Sequence, residues 1–444
     1  MSTKPGQAHN GPVTHYEGGS HFAVHFSPLL YVAALIFRIF PRPTTLLLIN
    51  IAIVALGGAC LWGYARYKFR NQAAPLLVLA VFLANPATIG LALSGFHVLT
   101  AALPLVVLAW WLAEKGSWRL ALVPFALALI VREDVALAAA MGGLGMATIR
   151  DRRRIGLAAV LISIAWFIVV SGVIMPTFIT DSGVVDDIRF SRFPDSFGGS
   201  LVQALGTLLT DPVGMVGRIC RDTIGVKAVY VNLLFLPLLL LPLGAGRAML
   251  IGLPALFVNL ISSNGLQHNI HSQYSTLIVA ALFLGLVICL SQRVGEKQRL
   301  AVLGLLLALN LLGTTWAAQW GAFSPAHKPD MCKWQDFDQS DREYLRWLEQ
   351  NLPQDASLMA SRSVSSHLGY RHEEFMIDVG TEITSGRYQL VLLDRTAQMP
   401  TRESAEIVFN YLGEHYICAR PALSDGKRIE LLIHRDYLPQ FTGD

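Results

Sequence analysis

The sequence predicts an all-α polytopic transmembrane bundle of about ten spans, followed by a small C-terminal extracytoplasmic α/β domain. Three observations carry this expectation. Hydrophobic residues make up 53% of the chain and charged residues only 15%, where an ordinary soluble domain carries about a quarter charged. The shortfall is concentrated in residues 28–320, while the last stretch of chain has the composition of a globular domain. Apolar runs approaching the roughly 20 residues needed to cross a bilayer recur too often for one buried core.

In chain order, the spans are read at 44–65, 73–93, 98–113, 118–131, 134–149, 155–176, 226–243, 247–262, 274–291 and 299–318. The two that flank Arg132-Glu133-Asp134 are short, and charges at mid-membrane are costly. A tight hairpin with the charges at its tip is therefore preferred over one long helix. Ahead of the first span, Ser27–Phe40 is too short to cross, contains Arg38 and is bracketed by Pro28 and Pro41. It reads as an interfacial or re-entrant helix. Residues 1–43 are accordingly set apart as a first extracytoplasmic loop, 44–320 as the transmembrane domain and 325–444 as the outer domain.

The loops sort by sign. Arg66, Lys68 and Arg70 follow the first span, Lys115 and Arg119 the third, and Arg150 with Arg152–Arg154 the fifth. Arg247 follows the seventh span, and Arg293, Lys297 and Arg299 the ninth. Alternate loops rich in Lys and Arg are cytoplasmic by the positive-inside rule, which puts both chain ends outside. Residues 1–24 are polar and hold no signal-peptide core, so an outer N-terminus leads to the expectation that a first transmembrane helix is missing, the alternative being a short N-terminal tail translocated without help.

Beyond Trp320, Gln339–Asn351 has the spacing of an amphipathic helix, with Tyr344, Leu345 and Leu348 on one face. Pro353 ends it. Strands are read at 357–360, 375–379, 388–393 and 428–434, and a second helix at 403–412. No basic tract with interleaved aromatics occurs, so nucleic acid is not an expected partner. The five cysteines have no CxxC spacing and are read as free thiols.

The polar residues with chemical potential all fall on the predicted outer side. His15, Glu17, His21 and His25 precede the interfacial helix, and His97 caps the second span. Arg132, Glu133 and Asp134 sit between the two short spans, and His268, His271 and Tyr274 open the ninth. Carboxylates and imidazoles that converge at membrane level can serve as general acid, general base or metal ligands, a divalent metal included. A lone loop histidine also has the plain role of capping helix carbonyls or facing headgroups. The Glu133-Asp134 pair is more specific, because two acids between apolar runs require a partner or water. His268 and His271, three apart, are close enough to share a helix face. No HExxH, GxSxG or phosphate-loop motif is present.

Taken in order, His25-Phe26-Ser27-Pro28, Gly95-Phe96-His97, Arg132-Glu133-Asp134 and His271-Ser272-Gln273-Tyr274 resemble the motifs of a family of prokaryotic membrane proteins known as a domain of unknown function. Leu352–Ser357 and Leu390–Asp394 are similar to that family's tail domain. The resemblance runs from about His21 onward. It implies a GT-C-like fold, since the family is grouped with the GT-C membrane glycosyltransferases. It also implies a bacterial inner-membrane enzyme that moves sugar from a polyprenyl-phosphate donor to an extracytoplasmic acceptor. Glu133, Asp134 and Glu17 are then the candidate catalytic acids, and His25, His97, Arg132, His271 and Tyr274 the candidate substrate-binding groups. The family's Asp motif ahead of the HFxP segment is lacking here, and Glu17 is the acid left in that region. A transporter or lipid flippase would use the same polar cluster, but the chain shows no internal repeat and its polar residues lie at span ends. A non-catalytic membrane scaffold is the third reading.

Overall fold

The computed structural model describes residues 20–179, 201–223, 225–319, 339–353, 356–360, 364, 374–376, 388–394, 412–419 and 429–437. The chain divides into two compact units, one of Met1–Ile36 with Leu46–Pro325 and the other of Phe37–Thr45 with Ala326–Asp444.

The first unit is helical. Six helices among the described residues are long and apolar enough to cross a membrane: Thr44–Lys68, Val98–Lys115, Arg150–Phe178, Leu241–Ile261, Gln273–Arg293 and Glu296–Ala318. A seventh span is obtained if Ala73–Ala84 and Pro86–Leu93, bent by 58°, count as one. The count of ten is not confirmed. The remaining segments form apolar helices of limited reach, Trp118–Leu129, Val135–Ala147 and Lys227–Leu238. At 12 and 13 residues the first two extend about 18–20 Å, short of a hydrocarbon core about 30 Å thick.

Residues 73–93, expected to be one span, break at Asn85-Pro86, and the break is chemically specified. Proline disfavours helix for the residue before it. The Asn85 side chain accepts from the N–H groups of Ala87 and Thr88 and so starts a new helix. Its amide also donates to Asn310 Oδ1 at 2.8 Å, and the Thr314 hydroxyl donates to the Ala84 carbonyl at 2.7 Å. Two polar side chains of Glu296–Gln319 thereby satisfy groups that a bend inside hydrocarbon would leave bare.

At the centre of the bundle lies Thr276–Arg293, buried from Thr276 through Leu290. By contrast Arg153–Val169 is exposed over much of its length, with Leu157, Leu161, Ile162 and Ile168 outward, as expected of a lipid-facing helix. It meets Val135–Ala147 closely, since a Cβ on Gly156 would come within 2.4 Å of the Ala147 nitrogen. At one end of the bundle Glu114 accepts from Tyr64 Oη at 2.5 Å and from Lys68 Nζ at 2.6 Å. Arg247 Nη2 lies 3.9 Å from the same carboxylate, and Arg152 Nε donates to the Glu114 carbonyl. Charges from four of the loops assigned to one side by their sign thus meet.

Leu30–Ile39 forms the short helix expected before the first span, with Tyr31, Val32, Leu35, Ile36 and Ile39 exposed. This apolar exposure suits a helix lying in the membrane interface.

Among the described residues of the second unit, five strands form a mixed sheet in the order β2-β1-β3-β5-β4, where β1 is Leu358–Ala360, β2 Glu374–Met376, β3 Leu390–Asp394, β4 Tyr416–Ala419 and β5 Ile429–His434. β1 is parallel to β2 and β3, while β5 runs antiparallel between β3 and β4. Alternation along the strands sends Leu358, Leu390, Leu392 and Leu431 to one face. There they pack on Tyr344, Leu345 and Leu348 of the helix Gln339–Asn351. β4 was not expected, and the helix expected at 403–412 lies almost wholly outside the described residues.

Candidate functional site

The site is built where the HFSP segment meets the turn between the two short helices. Ser20 caps the single helical turn His21–Val24, which ends at His25 in extended conformation. The next residues grip the second strip of chain through side chain and backbone. His25 Nδ1 lies 2.9 Å from Glu133 Oε1, the Phe26 N–H donates to Glu133 Oε2 at 2.9 Å, and the Leu29 N–H donates to the Ile130 carbonyl. Phe22 packs edge-on against Phe178 and Tyr31, which anchors the segment.

Asp134 is held differently. Arg132 forms a two-pronged pair with it, Nε to Oδ1 at 2.7 Å and Nη2 to Oδ2. Burial acts to lower the Arg132 pKa, but the Asp134 charge and hydrogen bond more than offset it and keep the guanidinium above its ordinary value. Burial likewise opposes ionisation of Asp134, and the Arg132 charge overcomes it to hold that carboxyl below the usual range. The two acids are therefore not equivalent. Asp134 is a neutralised anion, whereas Glu133 orients an imidazole.

A third element closes the site. The Arg132 guanidinium lies 5.9 Å from the Tyr274 ring centroid, within cation–π range. Tyr274 is fixed from behind, its carbonyl accepting from Asn259 Nδ2, which also donates to Tyr230 Oη at 2.8 Å. His271 precedes it, with Nδ1 buried and without a hydrogen-bond partner among the described residues. His268 and His271, whose spacing would let them share a helix face, lie in turns ahead of the helix. Asn264 and Asn269 impose those turns by accepting from the N–H groups of Leu266 and His271.

His97 follows Gly95, whose φ of +81° makes the turn after Pro86–Leu93. Burial first, then the nearby Arg132 charge, lower the His97 pKa to about 4. Burial also lowers that of His271. Both shifts favour the neutral ring, which can offer a hydrogen bond without carrying a charge.

Glu17 and His15 lie outside the described residues. Among the described residues no three His, Cys, Asp or Glu side chains gather as a metal site. Sequence reasoning missed the residues that frame the cluster. Asn50 donates to the Leu91 carbonyl and accepts from the Thr100 hydroxyl at 2.7 Å, spanning the loop that carries His97. Gly90 lets the His271 loop pass, because a Cβ there would stand 2.2 Å from the Ile270 carbonyl oxygen.

The four motifs thus form one cluster. A family model described as a predicted membrane protein, DUF2079, matches residues 7–426. The chain belongs to this DUF2079 family. Among solved structures, the chain is similar to ArnT from Cupriavidus metallidurans bound to undecaprenyl phosphate, with a TM-score of 0.50 at 11% identity over 92% of this chain and 88% of that one. At that identity the likeness shows a shared fold. A search of curated proteins finds no match.

Proposed function

We propose that this DUF2079 protein is a GT-C-like glycosyltransferase of the bacterial inner membrane, and that its cluster takes a polyprenyl-phosphate sugar at the extracytoplasmic surface. The observation that carries the reading is the His25–Glu133 pair set beside the Arg132 cation, within a fold shared with a protein bound to undecaprenyl phosphate. A donor of this kind keeps its tail in the bilayer and brings its phosphate to membrane level.

Engagement by the carboxylate places a proton on His25 Nδ1 and leaves Nε2 as the basic nitrogen. His25 accepts the proton of an acceptor hydroxyl as its oxygen bonds to the sugar's anomeric carbon. The anomeric carbon–phosphate oxygen bond breaks, and the lipid phosphate departs with the electron pair. Arg132 lies where it favours that charge, while neutral His97 and His271 donate hydrogen bonds and Tyr274 flanks the sugar. Asp134 fixes Arg132. The positive-inside sorting of the loops supports an outer location for the cluster, with residues 325–444 on the same side.

The test is turnover in proteoliposomes holding the full chain and radiolabelled polyprenyl-phosphate sugars. Transfer that is lost in Glu133→Gln and His25→Ala supports the assignment. A well-folded chain that consumes none of the donors removes it and favours transport or scaffolding.

A further inference from the structure

Apart from the residues of that cluster, a cavity of about 340 Å³ opens among Val98–Lys115, Trp118–Leu129, Val135–Ala147 and Arg153–Val169. Trp118, Phe125, Ala138, Ala158 and Ile162 contribute to an apolar wall, and among the described residues Arg154 is the single charged one that lines it. From Arg154 to Ile162 is eight residues, or about 12 Å of helix, close to the depth of one leaflet of a bilayer whose core is about 30 Å thick. Much of Arg153–Val169 is exposed, so the slot opens where lipid chains lie. An apolar slot offers water no partners and does not retain it.

Arg154 decides the occupant. It is exposed, and no carboxylate pairs with it among the described residues. Arg150 and Arg153 beside it are exposed as well, and Arg152 is turned to the Glu114 carbonyl. The N-terminus of a 17-residue helix adds its own positive potential at this point. Basic side chains at the end of a membrane helix attract anionic headgroups.

We propose that this groove is a binding site for an anionic glycerophospholipid of the leaflet at the Arg150–Arg154 end, with one acyl chain in the slot and the phosphate at Arg154. The site is separate from the donor site, and the proposal stands whether or not the chain transfers sugar. Trp110 and Trp118 both line the slot and serve as reporters, since bromine on an acyl chain quenches indole fluorescence at contact.

The experiment titrates the detergent-purified full chain with brominated phosphatidylglycerol and, separately, brominated phosphatidylcholine. The signal followed is the part of the quenching that disappears in Trp118→Phe. The expected result is a saturable component with a midpoint about five-fold lower for phosphatidylglycerol. Arg154→Gln should bring the two midpoints together, and Ala158→Phe, which fills the slot from its lipid side, should remove the component. Circular dichroism and the melting temperature establish that both variants are folded. Equal midpoints in the unaltered chain overturn the proposal, because the slot then takes any bilayer chain. Displacement of the brominated lipid by undecaprenyl phosphate but not by unlabelled phosphatidylglycerol overturns it in favour of a polyprenyl site.

Discussion

His25 and Glu133, 108 residues apart in sequence, share a hydrogen bond of 2.9 Å, and the Phe26 N–H occupies the second carboxylate oxygen. Two consecutive residues thus saturate the inward side of one carboxylate, and Glu133 sets both the tautomer and the direction of the imidazole. In Glu133→Gln the amide oxygen can still accept from Phe26, but the charge that favours His25 as a proton acceptor is lost. Sugar transfer is expected to fall by about 10²–10⁴ in kcat, with little change in donor KM. Steady-state kinetics in proteoliposomes check this. A rise in KM at constant kcat would instead make Glu133 a binding group.

Arg132 and Asp134 form the second pair, and their coupling predicts a different pattern. Arg132→Gln leaves the Asp134 carboxylate, whose side chain is 37% exposed, without its cation, and solvent screening brings the loss below the roughly 3–5 kcal/mol of a fully buried pair broken on one side. Its melting temperature in detergent should drop clearly. Arg132→Gln combined with Asp134→Asn removes both charges and should recover most of that stability while turnover stays low, since the cation proposed to meet the donor phosphate is still absent. Recovery of turnover in the double variant would mean that Arg132 serves only Asp134.

Gly90 tests how the His271 loop is held. A Cβ at this position would lie 2.2 Å from the Ile270 carbonyl oxygen and 3.1 Å from the His271 Cα, both backbone atoms. Backbone gives way less readily than a side-chain end, so Gly90→Ala must push the loop outward. A loss of about 1–3 kcal/mol is expected, the usual range for overpacking. It should appear as a lower melting temperature together with a raised donor KM. Unchanged values for both would show that the loop shifts freely.

Much of the bundle was legible because apolar runs and basic loops are local signals. The Arg132–Asp134 turn was placed from the cost of charge in hydrocarbon, and the structure does break the helix there. The bend at Asn85-Pro86 was equally visible in principle as an Asn-Pro pair. What makes it tolerable, Asn310 and Thr314 on a helix more than 200 residues later, is a tertiary fact. The helix face that the spacing of His268 and His271 allows is not formed, because spacing alone ignores competition from Asn264 and Asn269, whose side chains offer the backbone a turn instead. The cluster's members were listed from their motifs, but its pairings were not. Nothing in Arg132-Glu133-Asp134 as text says that the first acid will face His25 and the second will be tied up by the neighbouring arginine.

His97 gives the pH dependence. Its pKa is lowered from 6.5 to about 4 by burial and by the Arg132 charge, so the folded chain resists a proton that the unfolded chain accepts. A group of this kind leaves stability intact above pH 6.5. Stability then declines as pH falls from 6.5 towards 4, and below about 4 both states carry the proton and the loss levels off. His271, lowered by burial in the same direction, adds to the trend. Melting temperature in detergent should therefore decrease between pH 6.5 and 4 in the unaltered chain, less steeply in His97→Gln, and least in His97→Gln combined with His271→Gln. An identical slope in all three would place the acid-sensitive group elsewhere and would remove the argument that these two rings meet the donor as neutral hydrogen-bond donors.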